Sequence, residues 1–350
     1  SLSFSKSPAD SAAAATAGSS TVAAAPPDDA NVSQQIDLGR LIAETGQRAR
    51  RGSDAAAYLS EIGVRNATIF LDRSGQQTVW TVVEGKVELE HKKRRSTVTG
   101  NLSVASTTGP WNLAFKIEEV EKASSVVLEA SLRDLVPRGM STLVPELALL
   151  ELIDAPTSGQ ARIDLKPDGG VIGAVLQLDV GRGALAIAGA DAPPMDIESG
   201  QLNVRYDAAG RQILVEPSTL NWSQGRVKVG GVIRAAEQSG GKPHWLIDLK
   251  SIEGQLAGGE YGGVPVSLAE ASLQGRLEPE AGRLAITQAR LRAGGALVEA
   301  TGEVVTLTGR QSVRVEGRIG PAAGEVVKTL WPRFLAPSAR SWIGRQMTKG

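Results

Sequence analysis

From Val64 onward apolar and polar residues alternate with a period of two, the pattern of half-buried strands. The segments "VRNATIFLD", "TVWTVVEGKVELE", "STVTGNLSV", "WNLAFKIEEV" and "SSVVLEASLRD" follow one another across short polar turns. That order predicts a run of antiparallel meander strands. The period is lost between Leu135 and Asp154, where Pro137 and Pro145 stand at positions suited to helix starts. One or two short helices, packed on the edge or end of a sheet, are expected near residues 135–153. Alternation resumes at "GQARIDLK" and continues to about Ile319. Ahead of the strands, Leu38, Leu41 and Ile42 share one helical face, and Ser53 is placed to cap a second short helix through Tyr58 and Leu59. Helix is therefore expected near 38–62, and again near 322–348.

The fold class is mainly β with a few short helices: repeated antiparallel strands in a long bent sheet that forms an apolar groove, with helical segments at its edges and carboxyl end. Four stretches follow. Residues 1–35 are rich in Ala, Ser and Pro and lack large apolar side chains. Burial there cannot offset the entropy of folding, so they read as a disordered linker or insertion. Residues 36–160 carry helix and a first meander unit, with a helical insertion at 135–154. Residues 161–320 hold repeated β-units, and 321–350 form a helical segment with Trp and Pro.

The repeat has an offset of 71 positions and no gap. Sliding Met195–Ala236 against Val266–Leu307 brings Leu202 onto Leu273, Arg205 onto Arg276, Leu220 onto Leu291, Val227 onto Val298 and Gly231 onto Gly302. Each unit reads as strand, acidic turn, strand, polar turn, strand. A looser copy runs from "EIGVRNATIFLDRSGQ" to "STVTGNLSV". Units of this kind stack because none can bury its apolar face alone. Alternation then assigns faces. Leu202, Val204 and Tyr206 point one way, Asn203 and Arg205 the other. The same rule places Ile213, Val215, Val227, Val229, Leu273, Leu284, Ile286 and Val298 on the apolar side. A one-sided sheet of this kind must meet a second sheet, curl onto itself or hold an apolar ligand.

Composition narrows the choice. Lys plus Arg balance Asp plus Glu at 38 each, so no bulk field draws the chain to nucleic acid. There is no cysteine, which excludes disulfide frameworks, Cys-ligated zinc and thiol chemistry. Aromatics make up 4% of residues, few for a sandwich core, and the apolar face lacks the polar handles of a sugar site. No apolar run approaches the ~20 residues of a membrane helix, and no signal peptide is visible. The chain opens on Ser1 without Met, so it reads as a piece of a longer protein.

The closing segment "LWPRFLAPSARSWIGRQMTKG" carries Trp331, Pro332, Ala336, Pro337, Arg340, Trp342 and Ile343. Together with glycine-punctuated strands such as "SGQLNVRYDAAGRQILVEPSTLNWSQGRVKVGGVIRA", it resembles the AsmA-like superfamily of bacterial envelope proteins, in particular its YhdP-like, TamB-related central region. The resemblance covers about residues 36–350. It implies a periplasmic protein, anchored in the inner membrane by a segment outside this chain. It also implies a bent sheet that carries phospholipid between inner and outer membranes, or otherwise supports outer-membrane assembly. The family offers no catalytic residue to carry over, and no cofactor or metal is implied. The implied partners are phospholipid or another acyl-chain ligand, membranes reached through parts outside the chain, and envelope proteins. On this reading the terminal helix plugs or buttresses the groove wall, with a lipid gate or membrane contact as the alternative.

Other features read as structural. His91 and His244 are far apart and without partner ligands, so they are taken as exposed strand-end residues rather than a metal site. "HKKRR" at 91–95 is a hairpin tip, with docking on anionic headgroups as the functional alternative. "GGEYGG" at 258–263 lacks the setting of a phosphate loop. "DAPPMD" at 191–196 and "EPEAG" at 278–282 are turns. No convergent carboxylate pair or nucleophile elbow is present, so the chain is not read as an enzyme. The competing expectations are a closed β-sandwich serving as an interaction module and, third, a carbohydrate-active β-protein.

Overall fold

The computed structural model describes residues 2–5, 60–73, 76–92, 95–120, 125–140, 152–186, 194–236, 244–257, 264–307 and 310–330. Among these, the strands are β1 (Leu2–Ser5), β2 (Glu61–Arg73), β3 (Gln76–Lys92), β4 (Arg95–Ser106), β5 (Gly109–Val120), β6 (Ser125–Leu135), β7 (Ile153–Asp154), β8 (Thr157–Leu165) and β9 (Val171–Val180). They continue as β10 (Gly183–Leu185), β11 (Met195–Asp207), β12 (Gln212–Trp222), β13 (Gly225–Ala236), β14 (His244–Leu256), β15 (Val266–Glu278), β16 (Arg283–Ala293), β17 (Ala296–Leu307) and β18 (Arg310–Ile319). One short helix, α1 (Gly324–Leu330), follows.

All strands belong to one antiparallel sheet, and nearly every ladder joins neighbours in sequence. β2 through β6 form a meander; β6 then pairs with β8, β8 with β9, and β9 with β11. β7 and β10 pair with each other beside this join, and β10 also pairs with β11. β11 through β18 complete the meander. No register joins β2 to β18 among the described residues, so the sheet is open rather than closed. The expected sandwich closure is not found there. β8 crosses residues 160 and 161, where the sequence suggested a division, without interruption. Of the linker expected over 1–35, Leu2–Ser5 pairs with β18, and the rest lies outside the described residues.

The 71-residue offset reappears in the strand ends. β15, β16 and β17 begin and end 71 positions after β11, β12 and β13. The bulges match too. β12 carries one extra residue between Val215 and Ser218, and β16 carries one between Ile286 and Ala289. Pro217, inside β12, cannot donate to a ladder. In the structure the bulge absorbs Pro217 and the strand runs on to Trp222.

A bulge leaves backbone groups without ladder partners, and a buried one must be satisfied. Serine hydroxyls do this repeatedly. The Asn203 amide donates to Ser218 Oγ at 2.9 Å, Asp134 to Ser158 Oγ at 3.0 Å, and Ala271 to Ser251 Oγ at 2.7 Å. Ser218 and Ser251 sit on the irregular strand itself, and Ser158 on the strand beside it.

The helical expectations fare unevenly. The 135–153 insertion is described only at its ends: a 3-10 turn at Pro137–Met140 and the strand β7. The region expected as helix up to residue 62 ends in strand, since β2 starts at Glu61. Residues 38–59 lie outside the described residues. Of the 322–348 helix, the described part is α1.

Apart from Ile117, the buried apolar side chains among the described residues lie along one rim of the sheet or on α1. Val82, Val104 and Trp111 form one cluster there, with Trp80 and Trp111 edge to face at 5.4 Å. Val266, Leu268, Ala293 and Ala296 form another, under Val326 and Leu330 of α1. We call this the packed rim. The opposite rim, with the turns at 208–211 and 279–282, is the open rim.

Candidate functional site: an apolar face across the sheet

Residues directly opposite one another in a sheet share a face, so the registers trace rows across it. The central row runs Ile62, Val87, Gly100, Phe115, Ala130, Ala161, Leu176, Val204, Val215, Gly231, Leu249, Leu273, Ala289, Ala300, Gly317. No member is polar. Fourteen inter-strand steps make it about 67 Å long. The next row toward the open rim runs Leu89, Val98, Ile117, Leu128, Ile163, Ala174, Tyr206, Ile213, Ile233, Ile247, Gly275, Ile286, Gly302, Val315. Tyr206 supplies its single polar atom among side chains.

The other face is different. One of its rows runs Glu61, Glu88, Thr99, Lys116, Glu129, Arg162, Val175, Arg205, Leu214, Val232, Asp248, Gln274, Gln288. Its charges pair on the surface: Arg162 with Glu129 at 2.8 Å and Arg205 with Glu216 at 3.2 Å. The shifted titrations belong to this face. The Arg318 guanidinium, with Arg290 beyond it, holds the Glu299 carboxyl below its usual range. Lys86 lowers Glu88 by a hydrogen bond, and Glu88 and Glu61 raise Lys86 in return.

The ten residues singled out by alternation all share the apolar face. Val204, Val215 and Leu273 stand in the central row, and Ile213 and Ile286 in the row beside it. Leu284 lies nearer the open rim, opposite Leu277 and Val304. Leu202, Val229 and Val298 lie toward the packed rim, opposite Leu178, Ser218 and Leu291, with Val227 beyond them opposite Leu220. Val204 and Val215 face each other directly. Most are half-buried, and Leu202 is 37% exposed. Sequence reading missed the amino-terminal half of the same face: Ile62, Val87, Phe115 and Leu176. Its signal was the alternation in "EGKVELE" and "WNLAFKIEEV", read as strand but not assigned a side.

The relief of the face is filled by its own members. A side chain at Gly100 would strike the Phe115 ring across the ladder, and one at Gly159 would strike Leu178. Large residues lie over glycines, which leaves a continuous hydrocarbon surface. Among the described residues the only helix laid against it is α1, at the packed rim of β15–β17.

A concavity of about 700 Å³ occupies the polar side of β4 to β9, lined in part by Thr99, Asn101, Lys116, Glu129, Gln160 and Arg162. A twisted sheet is saddle-shaped, so each face is concave along one diagonal. Its charges are already paired, and no aromatic platform for a sugar stands on its polar wall.

The remaining sequence features resolve simply. His244 is buried at the start of β14, 7% exposed, which corrects its reading as exposed. His91 and Lys92 end β3 and Arg95, paired with Lys92, opens β4, while residues 93 and 94 lie outside the described residues; Glu118 and Glu119 sit on the strand beside them. The turn at 278–282 is a 3-10 turn closed by left-handed Gly282. "GGEYGG" and the terminal motif Trp331, Pro332, Ala336, Pro337, Arg340, Trp342 and Ile343 lie outside the described residues. Among the described residues no cluster of metal-ligating side chains occurs, and no helix is long and apolar enough to cross a membrane.

The chain matches no family model, no curated protein and no solved structure.

Proposed function

We propose that the apolar face holds acyl chains, and that the chain is the groove-forming part of an AsmA-like, YhdP-like envelope protein. It works in the periplasm, joined to the inner membrane by a segment outside this chain. It carries phospholipid between inner and outer membranes or supports outer-membrane assembly in that way. It is a carrier and not an enzyme, and needs no cofactor.

The observation that carries this reading is the central row. Fifteen successive strands present no polar side chain along about 67 Å, more than twice the ~30 Å hydrocarbon thickness of a bilayer. Exposed apolar patches on soluble monomers rarely exceed a few hundred Å² unless they bind something. A folded protein partner asks for a compact patch with a polar rim. A long narrow track suits a file of acyl chains, each lying across it, better.

The test is site-specific photo-crosslinking in cells. A crosslinker at Val215 or Ile286 captures phospholipid; one at Arg205 or Lys228, on the opposite face, captures little. Capture of a protein at Val215 in place of lipid would favour the interaction-module reading.

A further inference from the structure

Resting on that reading, we infer that bound lipid has one orientation, with its head at the open rim, where Tyr206 and Trp245 mark the level of the ester and phosphate oxygens.

The two rims are chemically unlike. The packed rim is apolar and sealed: Val82, Val104, Ile197, Leu268, Ala293 and Ala296 are all at most 9% exposed. Its buried polar groups are already engaged, Lys328 with Glu325 at 3.2 Å and Thr157 with the Ala155 carbonyl at 3.3 Å. Along the open rim of the apolar face, two rings carry a hydrogen-bond donor. Tyr206 lies between Ala174 and Ile213 in its row. Trp245 lies between Ala235 and Leu277. In both cases an alanine flanks the ring on one side and a branched aliphatic on the other, so the alanine leaves room above the sheet. Both rings are half-buried. Neither polar group has a hydrogen bond within the described residues.

The repeat sharpens the point. The residue 71 positions after Tyr206 is Leu277. The same place in the next β-unit is filled by an aliphatic side chain, so the fold itself does not require the hydroxyl. Amphipathic rings with one wet end settle at the level where hydrocarbon meets head groups. β11 is the eighth of the fifteen strands in the central row, which puts the Tyr206 hydroxyl halfway along the track. The Tyr206 hydroxyl donates to an ester or phosphate oxygen, and the chain runs from there toward Trp222, which is opposite Ile197 at the packed rim.

Two measurements on the full chain test this. First, phosphatidylethanolamine brominated near the ester or near the chain end is bound to Trp245→Phe and Trp222→Phe variants, and tryptophan quenching is read. Ester-proximal bromine should lose quenching when Trp245 is removed, and chain-end bromine when Trp222 is removed. The reverse assignment, or equal losses, overturns the orientation. No quenching by either lipid overturns the carrier reading itself. Second, Tyr206→Phe keeps the ring and removes the donor. Phospholipid affinity should fall about 3- to 10-fold, as for one net hydrogen bond, while affinity for a head-free hydrocarbon probe stays unchanged. Equal affinity for phospholipid in both proteins removes Tyr206 from the account. A larger loss for the ester lipid than for its ether analogue assigns the bond to the carbonyl; equal losses assign it to the phosphate.

Discussion

The units 195–236 and 266–307 share strand limits and bulges, and the central row crosses both, yet they finish the packed rim in different ways. In the first, β12 ends on Trp222 and β13 opens on Gly225, and the indole lies against that glycine. In the second, the same positions are Ala293 and Ala296, both fully buried beneath α1. One unit covers its rim with a side chain of its own strand. The other keeps the rim small and lets a helix cover it. Gly294 and Gly295, both with positive φ, make the tight turn between β16 and β17, and a side chain at Gly294 would crowd Val266 and Val326. A β-repeat is thus adapted to a neighbouring helix by two substitutions and a turn, with its strands left alone.

That comparison can be broken most forcefully by giving the second unit the first unit's solution. Ala293→Trp places an indole where Val326 and Leu330 pack. Overpacking of this kind costs about 3 kcal/mol, and chemical denaturation should show it. An unchanged midpoint would mean that α1 does not depend on a small rim.

A finer contrast lies in the bulges. The first unit holds its bulge through Ser218, which accepts from the Asn203 amide and donates to the Glu216 carbonyl at 2.8 Å. The second uses Thr287, whose hydroxyl donates to the Gln274 carbonyl at 3.1 Å on the exposed side. Ser218 is 3% exposed. Ser218→Ala leaves the part-buried Asn203 amide unpaired and should cost about 2 kcal/mol, whereas Thr287→Val frees the exposed Gln274 carbonyl to water and should cost under ~1 kcal/mol. Equal losses in denaturant melts would show that the two bulges are held alike.

These details mark where sequence reading succeeded and where it stopped. Strand parity was legible because each of Leu202, Val204 and Tyr206 alternates with a polar neighbour, and the 71-residue offset was legible because side-chain character repeats with it. The bulge was not. Pro217 ends a strand by rule, and only the serine bonded across the ladder shows that it is absorbed. Parity survives there because the one extra residue returns Val215 and Ser218 to one face, a result that no alternation count contains. Of the insertion after Leu135 only the ends are described, and there Pro137 opens a 3-10 turn, as a proline at a helix start does. The two finishes of the packed rim were equally hidden, since Trp222 and Ala293 differ in sequence without revealing what lies above them.

The apolar face as an acyl-chain track is the central claim, and Val215→Asp tests it at the middle of the central row. Val215 is half-buried and opposite Gly231. A carboxylate there keeps access to water if the face is an open track, but would be trapped unpaired beneath a covering layer. Native mass spectrometry of the purified chain should show phospholipid adducts on the parent protein and their loss on Val215→Asp, with the strand fold retained by circular dichroism. A parent protein free of lipid, or adducts that survive the substitution, would contradict the account.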